Sequence, residues 1–401
     1  MKFYFIQKPN IIARGRPMFL LDKKFVSKMQ DIFINEMMVI PARIRDGSYK
    51  MEDLVPGYRF EYLVAPEDLP QVANTPKDIV YEEGHVRLFR YKSQTPSQHK
   101  PPLLMIYALI NRSYILDLRP GNSVIEFLLK NGHDVYLIDW GEPLEEDRFL
   151  DMAFYIEHYI DSCVNKALEL SQTKKLNLFG WCIGGSLALI YAALHNEKIN
   201  SLITLTTPGD ITHGGMLPLW SNKEYFDINK IIDVFGNIPG KFIRYGVIEI
   251  YPNKEALKNS IFYENLNNPQ FLQLYLLVEK WMNDNVDFPG KVFKDYIESV
   301  FQDNNLLHGK VQINGKKVSL KNIKSPYLNM AAQLDHLVPI ECSKVLNDYV
   351  GSEENVFEMI PGGHIGLAFE PMAQQVGWIK LLNWLNKHTN ASEKKNQPPK
   401  A

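Results

Sequence analysis

Leu176-Asn177-Leu178-Phe179-Gly180-Trp181-Cys182-Ile183-Gly184-Gly185-Ser186-Leu187-Ala188-Leu189-Ile190-Tyr191-Ala192-Ala193-Leu194-His195 changes character twice. Leu176 to Phe179 is a short apolar run suited to a buried parallel strand. Gly180 to Gly185 then sets three glycines around one cysteine, and from Ser186 onward helix formers dominate. Strand, sharp turn and helix follow in that order, with a thiol at the apex. Gly180-x-Cys182-x-Gly184 is the cysteine form of a nucleophile elbow, in which a strained turn holds the nucleophile clear of a sheet. Glycine is needed at both flanks because strand and helix approach too closely there for a Cβ. The plain alternative is a buried structural thiol, the usual fate of a free cysteine. What separates the two is whether an acid and a histidine follow in the required order.

The composition suits such a fold and excludes several others. A chain of 401 residues can bury a large core, as one α/β domain with insertions or as two domains. Hydrophobic content of 45% and charged content of 22% are those of an ordinary globular chain. A net charge of −2, with no basic block interleaved with aromatics, gives no field for nucleic acid. The three cysteines, Cys163, Cys182 and Cys342, are odd in number and lack C-x-x-C spacing, which argues against a disulfide framework and a zinc site. A thiol-dependent enzyme needs a reducing compartment, so a cytoplasmic location is expected. Met1 to Asn10 lacks the apolar run of a signal peptide. Leu103 to Ile110, the longest clean apolar stretch, is too short to span a bilayer.

Working outward, Ile79 to Tyr81 and Val86 to Tyr91 read as an antiparallel pair around Gly84, and Lys92 to Pro102 as a polar loop. Leu103 to Ala108 is a strand, Asn122 to Lys130 a helix, Asp134 to Asp139 a strand and Asp151 to Leu170 a helix leading into the elbow. Ser201 to Leu205 is the next strand. This alternation predicts an α/β fold with a mostly parallel sheet, whose ligands sit at the carboxyl ends of the strands. From Pro208 to Asn322 the alternation stops, for far longer than a βα connection allows. The stretch holds helices near Asn268–Asn283 and Lys291–Asn304 and a hairpin over Val311–Leu320 turning at Asn314-Gly315. It is placed to be an inserted helical cap. The rhythm resumes with a strand at Tyr327–Ala332, a helix at Ile340–Tyr349, a strand at Val356–Ile360 and a closing helix at Met372–Asn386. The division expected is an N-terminal helical and loop segment 1–75, a core of 76–207 with 323–388, a cap 208–322 and a disordered tail 389–401. Within the first segment, Phe19 to Val39 carries an amphipathic pattern through Leu21, Phe25, Met29, Phe33 and Met37.

The partners of the cysteine lie where that sheet would bring them. Asp335 follows the Tyr327–Ala332 strand, and His364 follows the Val356–Ile360 strand inside Pro361-Gly362-Gly363-His364-Ile365-Gly366. Nucleophile, acid and histidine occur in the order of the α/β-hydrolase fold. Each alone has a dull alternative, Asp335 as a helix cap and His364 as a residue tolerating a tight turn. His336, beside Asp335, is a second candidate base, ranked as a structural or tuning residue. In this scheme His364 draws the proton from Cys182 and Asp335 holds the imidazole tautomer. The oxyanion would be met by the backbone N–H of Ile183 and by a second from the loop after Leu103–Ala108, at Leu109 or Ile110. A cysteine suits thioester exchange, since the acyl group passes from one sulfur to another with little change in energy. The residues therefore favour acyl transfer from a thioester donor such as an acyl-CoA, with no separate cofactor and no metal.

Several further stretches are specific. Ile106-Tyr107-Ala108-Leu109-Ile110-Asn111-Arg112, Tyr114 to Leu118, Asp134 to Gly141, the cysteine box, Thr207-Pro208, Gly236-Asn237-Ile238-Pro239-Gly240, Glu279-Lys280-Trp281, Leu334 to Pro339 and Pro361 to Gly366 recur together. With them the sequence resembles the polyhydroxyalkanoate synthases, most closely the short class III catalytic subunits that make poly(3-hydroxybutyrate), over roughly Ile79 to Trp384. The resemblance puts the family's cysteine on Cys182, its aspartate on Asp335 and its histidine on His364. It implies acylation of Cys182 by 3-hydroxyacyl-CoA, attack by the 3-hydroxyl of another monomer or of the growing polyester chain, and release of CoA. It also implies a gating cap, a homodimer, a location at the granule surface and a second, mostly helical subunit, for which Phe19–Val39 is a candidate contact. Trp181 and Ile183 depart from the family, which more often has a small aliphatic and a polar residue there. Two rivals remain: a cysteine thioesterase or depolymerase of the same fold, and a catalytically silent granule scaffold. Arg112, Arg119 and Arg148 are weak candidates for CoA phosphates, and ordinary surface charge explains them equally well.

Overall fold

In the computed structural model, which describes residues 71–389 except 252–257, 259, 260, 263 and 266, the apolar run Leu176–Trp181 is a strand buried at every position. It lies inside an eight-stranded sheet among the described residues. The strands are β1 (Lys77–Glu83), β2 (Val86–Tyr91), β3 (His99–Ile106), β4 (His133–Asp139), β5 (Leu176–Trp181), β6 (Ile199–Leu205), β7 (Tyr327–Ala332) and β8 (Asn355–Ile360). Their spatial order is β1-β2-β4-β3-β5-β6-β7-β8. β2 pairs antiparallel with β1 and β4, while every pair from β4 to β8 is parallel. This follows from composition: β4, β3, β5, β6 and β7 are nearly continuous apolar runs that need cover on both faces. β1 carries Lys77, Asp78, Glu82 and Glu83, charges that suit an unpaired edge.

The chain divides into two compact units, Met1–Asp68 with Leu257–Leu276 and Leu69–Ala256 with Leu277–Ala401. Of the first, the described part includes the start of the Pro269–Asn283 helix and the rings of Phe262 and Tyr275, 4.7 Å apart. The second carries the sheet. The amphipathic stretch Phe19–Val39 and the tail beyond Thr389 lie outside the described residues, as does most of the segment 1–75.

Local differences from the sequence reading have physical causes. β3 begins at His99, inside the stretch read as loop, because His99 pairs with His133 across a register shift before Leu103. The helix expected at Asp151–Leu170 runs from Met152 to Ser171 but widens to a π-helix over Tyr155–Ile160. A second π-helix, Ile297–Gln302, continues the Gly290–Tyr296 helix, and a third, Ala373–Trp378, opens the closing helix. The helix expected at Ile340–Tyr349 is two short ones, Ile340–Lys344 and Leu346–Tyr349. Between Pro208 and Asn322 the structure adds helices at Leu217–Trp220, Ile228–Phe235 and Gly240–Ile250. The hairpin turn is as the sequence reads it, with Asn314 and Gly315 both at positive φ, 47° and 76°. No helix among the described residues is long and apolar enough to cross a membrane.

At the opposite end of the sheet from the elbow, the His99 and His133 rings lie 5.0 Å apart. Burial, reinforced by His99, holds the His133 imidazole down to about 4, against a smaller pull from Asn386. The unfolded chain therefore takes up the proton first, near 6.5, while the folded chain resists until about 4. Stability contributed here is complete above the unfolded value and falls as pH drops between the two. A loss of about 2 kcal/mol is expected on going from pH 7 to pH 5. Urea unfolding at both pH values would show it, and His133→Gln should flatten the dependence. An equal slope in wild type and variant would refute the assignment.

Candidate active site

Cys182 sits between the last residue of β5 and the first of the elbow helix (Ile183–Leu194), with φ 53° and ψ −119°. A non-glycine residue in this region is strained and persists only where its surroundings over-determine it. Here they do. The Cys182 N–H donates to the Leu205 carbonyl at 2.9 Å, continuing the β5–β6 ladder by one residue. Its carbonyl accepts from Gly185 at 2.9 Å and Ser186 at 3.3 Å, which starts the helix.

The glycines explain how strand and helix fit. A Cβ on Gly180 would lie 2.5 Å from the Gly185 Cα, and one on Gly184 would run into the Ile106 carbonyl at the end of β3. At Gly185 it would overlap the Thr207 hydroxyl, which is buried and donates to the Leu205 carbonyl. Gly185→Ala is therefore expected to cost about 1–3 kcal/mol by overpacking. A thermal melt showing an unchanged midpoint would contradict that close packing.

The acid and the histidine come from the adjoining ends of β7 and β8. Past the strands the ladder continues, Gln333 N–H donating to the Ile360 carbonyl at 2.8 Å and Leu334 N–H to the Gly362 carbonyl at 2.9 Å. That fixes the two loops against each other. Asp335 Oδ1 accepts from the backbone N–H groups of Leu337 (2.9 Å) and Val338 (2.8 Å), leaving Oδ2 for the Nδ1–H of His364 at 2.7 Å. The Asp335 side chain is fully buried. His364 is also within hydrogen-bond reach of the Cys182 thiol. Burial works against charge on this imidazole, but Asp335 and Cys182, as charges and as hydrogen-bond partners, outweigh it and push it up to about 10. An imidazole so held carries its proton at neutral pH.

Other residues fall into distinct places. His336 is exposed and stacks on Tyr251, rings 4.4 Å apart and nearly parallel, while Asp335 bonds His364 instead. Ile183 is the first residue of the elbow helix. The loop after β3 is braced from the far side: Ile110 accepts from Val286 N–H at 3.2 Å, Asn111 bonds Asn285 at 3.1 Å, and the Arg112 carbonyl accepts from Trp281 Nε1 at 2.7 Å. Arg112 itself pairs with Glu142 and Asp284, Arg119 donates to Asn122, and Arg148 pairs with Glu145. These three cations are thus held by neighbouring protein groups. Cys163 and Cys342 are buried, and burial pushes the Cys342 thiol up to about 12, so neither has thiolate character. Among the described residues no three His, Cys, Asp or Glu side chains gather as a metal site would require.

Two tyrosines at the site were not singled out in the sequence. Tyr107, buried, packs edge-on against Trp181 with centroids 5.8 Å apart and lies within electrostatic reach of Cys182. Tyr296, also fully buried, hydrogen-bonds Ser186 at 3.1 Å and lies within electrostatic reach of the same thiol. Nothing in the sequence around Tyr296 signals this, because its neighbours at the site are over a hundred positions away.

Comparisons with known proteins agree with the geometry. A profile for the alpha/beta hydrolase fold matches residues 101–371. A profile described as the poly-beta-hydroxybutyrate polymerase (PhaC) N-terminus matches residues 70–128. The poly(3-hydroxyalkanoate) polymerase subunit PhaC of Allochromatium vinosum is 38% identical over 78% of this chain and 88% of its own length. That of Thiocystis violacea is 37% identical over 79% and 89%. The same subunit of Haloferax mediterranei is 38% identical over 78% of this chain, which spans 64% of that longer relative. With this degree of identity across nearly the full length of two relatives, on an eight-stranded hydrolase sheet with a cysteine at its elbow, the chain belongs to the poly(3-hydroxyalkanoate) polymerase subunit PhaC family, a family of enzymes.

Proposed function

We propose that this protein polymerises 3-hydroxyacyl-CoA, with 3-hydroxybutyryl-CoA the expected monomer, into polyhydroxyalkanoate through an acyl-thioester on Cys182. The observation that carries the reading is the chain of contacts from Asp335 Oδ2 through the His364 imidazole to the thiol of a strained elbow. The Cys182 thiolate attacks the thioester carbonyl, and the tetrahedral oxyanion is met by the N–H of Ile183 and of Ile110. The carbon–sulfur bond to CoA breaks, and His364 hands its proton to the departing thiolate. Acylation removes the negative charge from Cys182 and with it one of the attractions holding that proton. The neutral imidazole then accepts the proton of an incoming 3-hydroxyl, whose oxygen takes the acyl group and frees the cysteine. Asp335 keeps Nδ1 protonated, so that Nε2 is the nitrogen that exchanges protons.

Action at the surface of polyester granules in the cytoplasm, a homodimer and a second helical subunit belong to the same proposal. The test is purified protein with 3-hydroxybutyryl-CoA, with and without such a subunit, assayed for free thiol and insoluble polyester. Thiol release with polymer supports it. Thiol release with free hydroxy acid alone would make the protein a thioesterase, and no release under either condition would leave only a scaffold.

A further inference from the structure

Ser186 lies four residues after Cys182 on the elbow helix, with its N–H on the Cys182 carbonyl at 3.3 Å. A serine so placed has a competing option, since its hydroxyl can fold back onto the i−4 carbonyl, which bends the helix. That carbonyl belongs to Cys182, so such a bend would re-aim the turn that presents both the thiol and the Ile183 N–H. In the structure the Ser186 hydroxyl is instead engaged by the Tyr296 phenol at 3.1 Å, and both residues are buried. Tyr296 is the last residue of the Gly290–Tyr296 helix, at its junction with the Ile297–Gln302 π-helix. π-Helical turns are frequent at functional sites. The same segment reaches the acid: the Tyr296 ring stacks edge-on against Phe301 (5.4 Å), and Phe301 packs on the cluster of Ile211, Val338 and Cys342. Val338 is one of the two N–H donors to Asp335.

We propose that Tyr296 is a positioning residue for the reaction, occupying the Ser186 hydroxyl so that the elbow's first turn stays straight and Cys182 stays in line with His364. The 290–302 segment thereby braces the nucleophile through Ser186 and the acid loop through Phe301. The proposal rests on Cys182 being the attacking group, and it makes an unusual demand on paired variants. Tyr296→Phe keeps the ring and removes the hydroxyl, freeing Ser186 to bond the Cys182 carbonyl. Ser186→Ala leaves the phenol buried without its partner. Removing both leaves nothing unpaired and no back-bond to form.

The experiment measures CoA release and the rate of Cys182 alkylation by iodoacetamide in the full-length protein carrying Tyr296→Phe, Ser186→Ala or both, with a thermal melt for each. Tyr296→Phe is expected to lower kcat about 10-fold with KM within about twofold, and to slow alkylation in parallel. Adding Ser186→Ala should recover most of the loss in both readouts. The proposal is overturned if Tyr296→Phe turns over and alkylates like wild type, or if the double variant falls by the product of the singles. Loss tracking only a lowered melting midpoint, with no recovery in the double variant, would mean a packing role alone. Alkylation needs no polymerase substrate, so a failure of the polymerase reading leaves this test standing.

Discussion

Cys182→Ala is expected to abolish both CoA release and polymer formation, with activity at least about 10⁴-fold below wild type. The reasoning is chemical rather than structural. Alanine fits the elbow's volume, so the sheet, the glycine contacts and the Asp335–His364 bond should survive, and a melt should show a folded protein. What disappears is the thiol with the His364 imidazole in reach, while Cys163 and Cys342 are buried thiols with raised affinity for their protons. Without a nucleophile no acyl-enzyme forms, and binding alone does not break the thioester. Mass spectrometry of the wild-type protein after a brief exposure to substrate should find the added acyl mass on the peptide containing Cys182. Near-normal CoA release by the variant, or the label on another residue, would refute the assignment.

His364→Ala carries the second-largest effect, a fall in CoA release of about 10³-fold, at the upper part of the range for general acid–base catalysis. In the proposed mechanism the imidazole serves at both half-reactions, giving a proton to the leaving thiolate and taking one from the entering hydroxyl, so its loss should slow each. A second readout isolates the first of these roles. In wild type, the pairing with Asp335 and Cys182 keeps His364 protonated up to about 10. Alkylation of Cys182 at neutral pH should therefore be faster in wild type, where a charged imidazole lies beside the sulfur, than in the variant, where none does. Equal alkylation rates in wild type and variant would mean that His364 is not the group that governs the thiol.

The elbow was legible because three constraints coincide in one short stretch. An apolar strand, glycines at the points of closest approach and a run of helix formers are each local signals. Asp335 and His364 were legible for a different reason: each follows a strand recognisable by its own apolar run, and parallel strands deliver their following loops to one edge. The π-helical turns were not legible. A π-turn differs from an α-turn by one residue inserted for the sake of tertiary contacts, and the side-chain period before and after it is unchanged. The start of β3 at His99 was hidden similarly, since its pairing with His133 depends on a partner strand more than thirty positions on. The helices at Ile228–Phe235 and Gly240–Ile250 were also missed, in a stretch where the alternation of strand and helix gives no guide.

By itself the sequence determined the succession of strands and helices and the places of Cys182, Asp335 and His364 within it, because those depend on chain order and on periodicities of a few residues. Only the tertiary structure decided that His364 rather than His336 bonds Asp335, and that a tyrosine over a hundred positions away lies against the elbow helix. Adjacent histidines are alike in composition, and which one turns inward depends on backbone N–H groups and a neighbouring loop. Contacts between distant positions depend on how the whole core closes, which no short window of residues records.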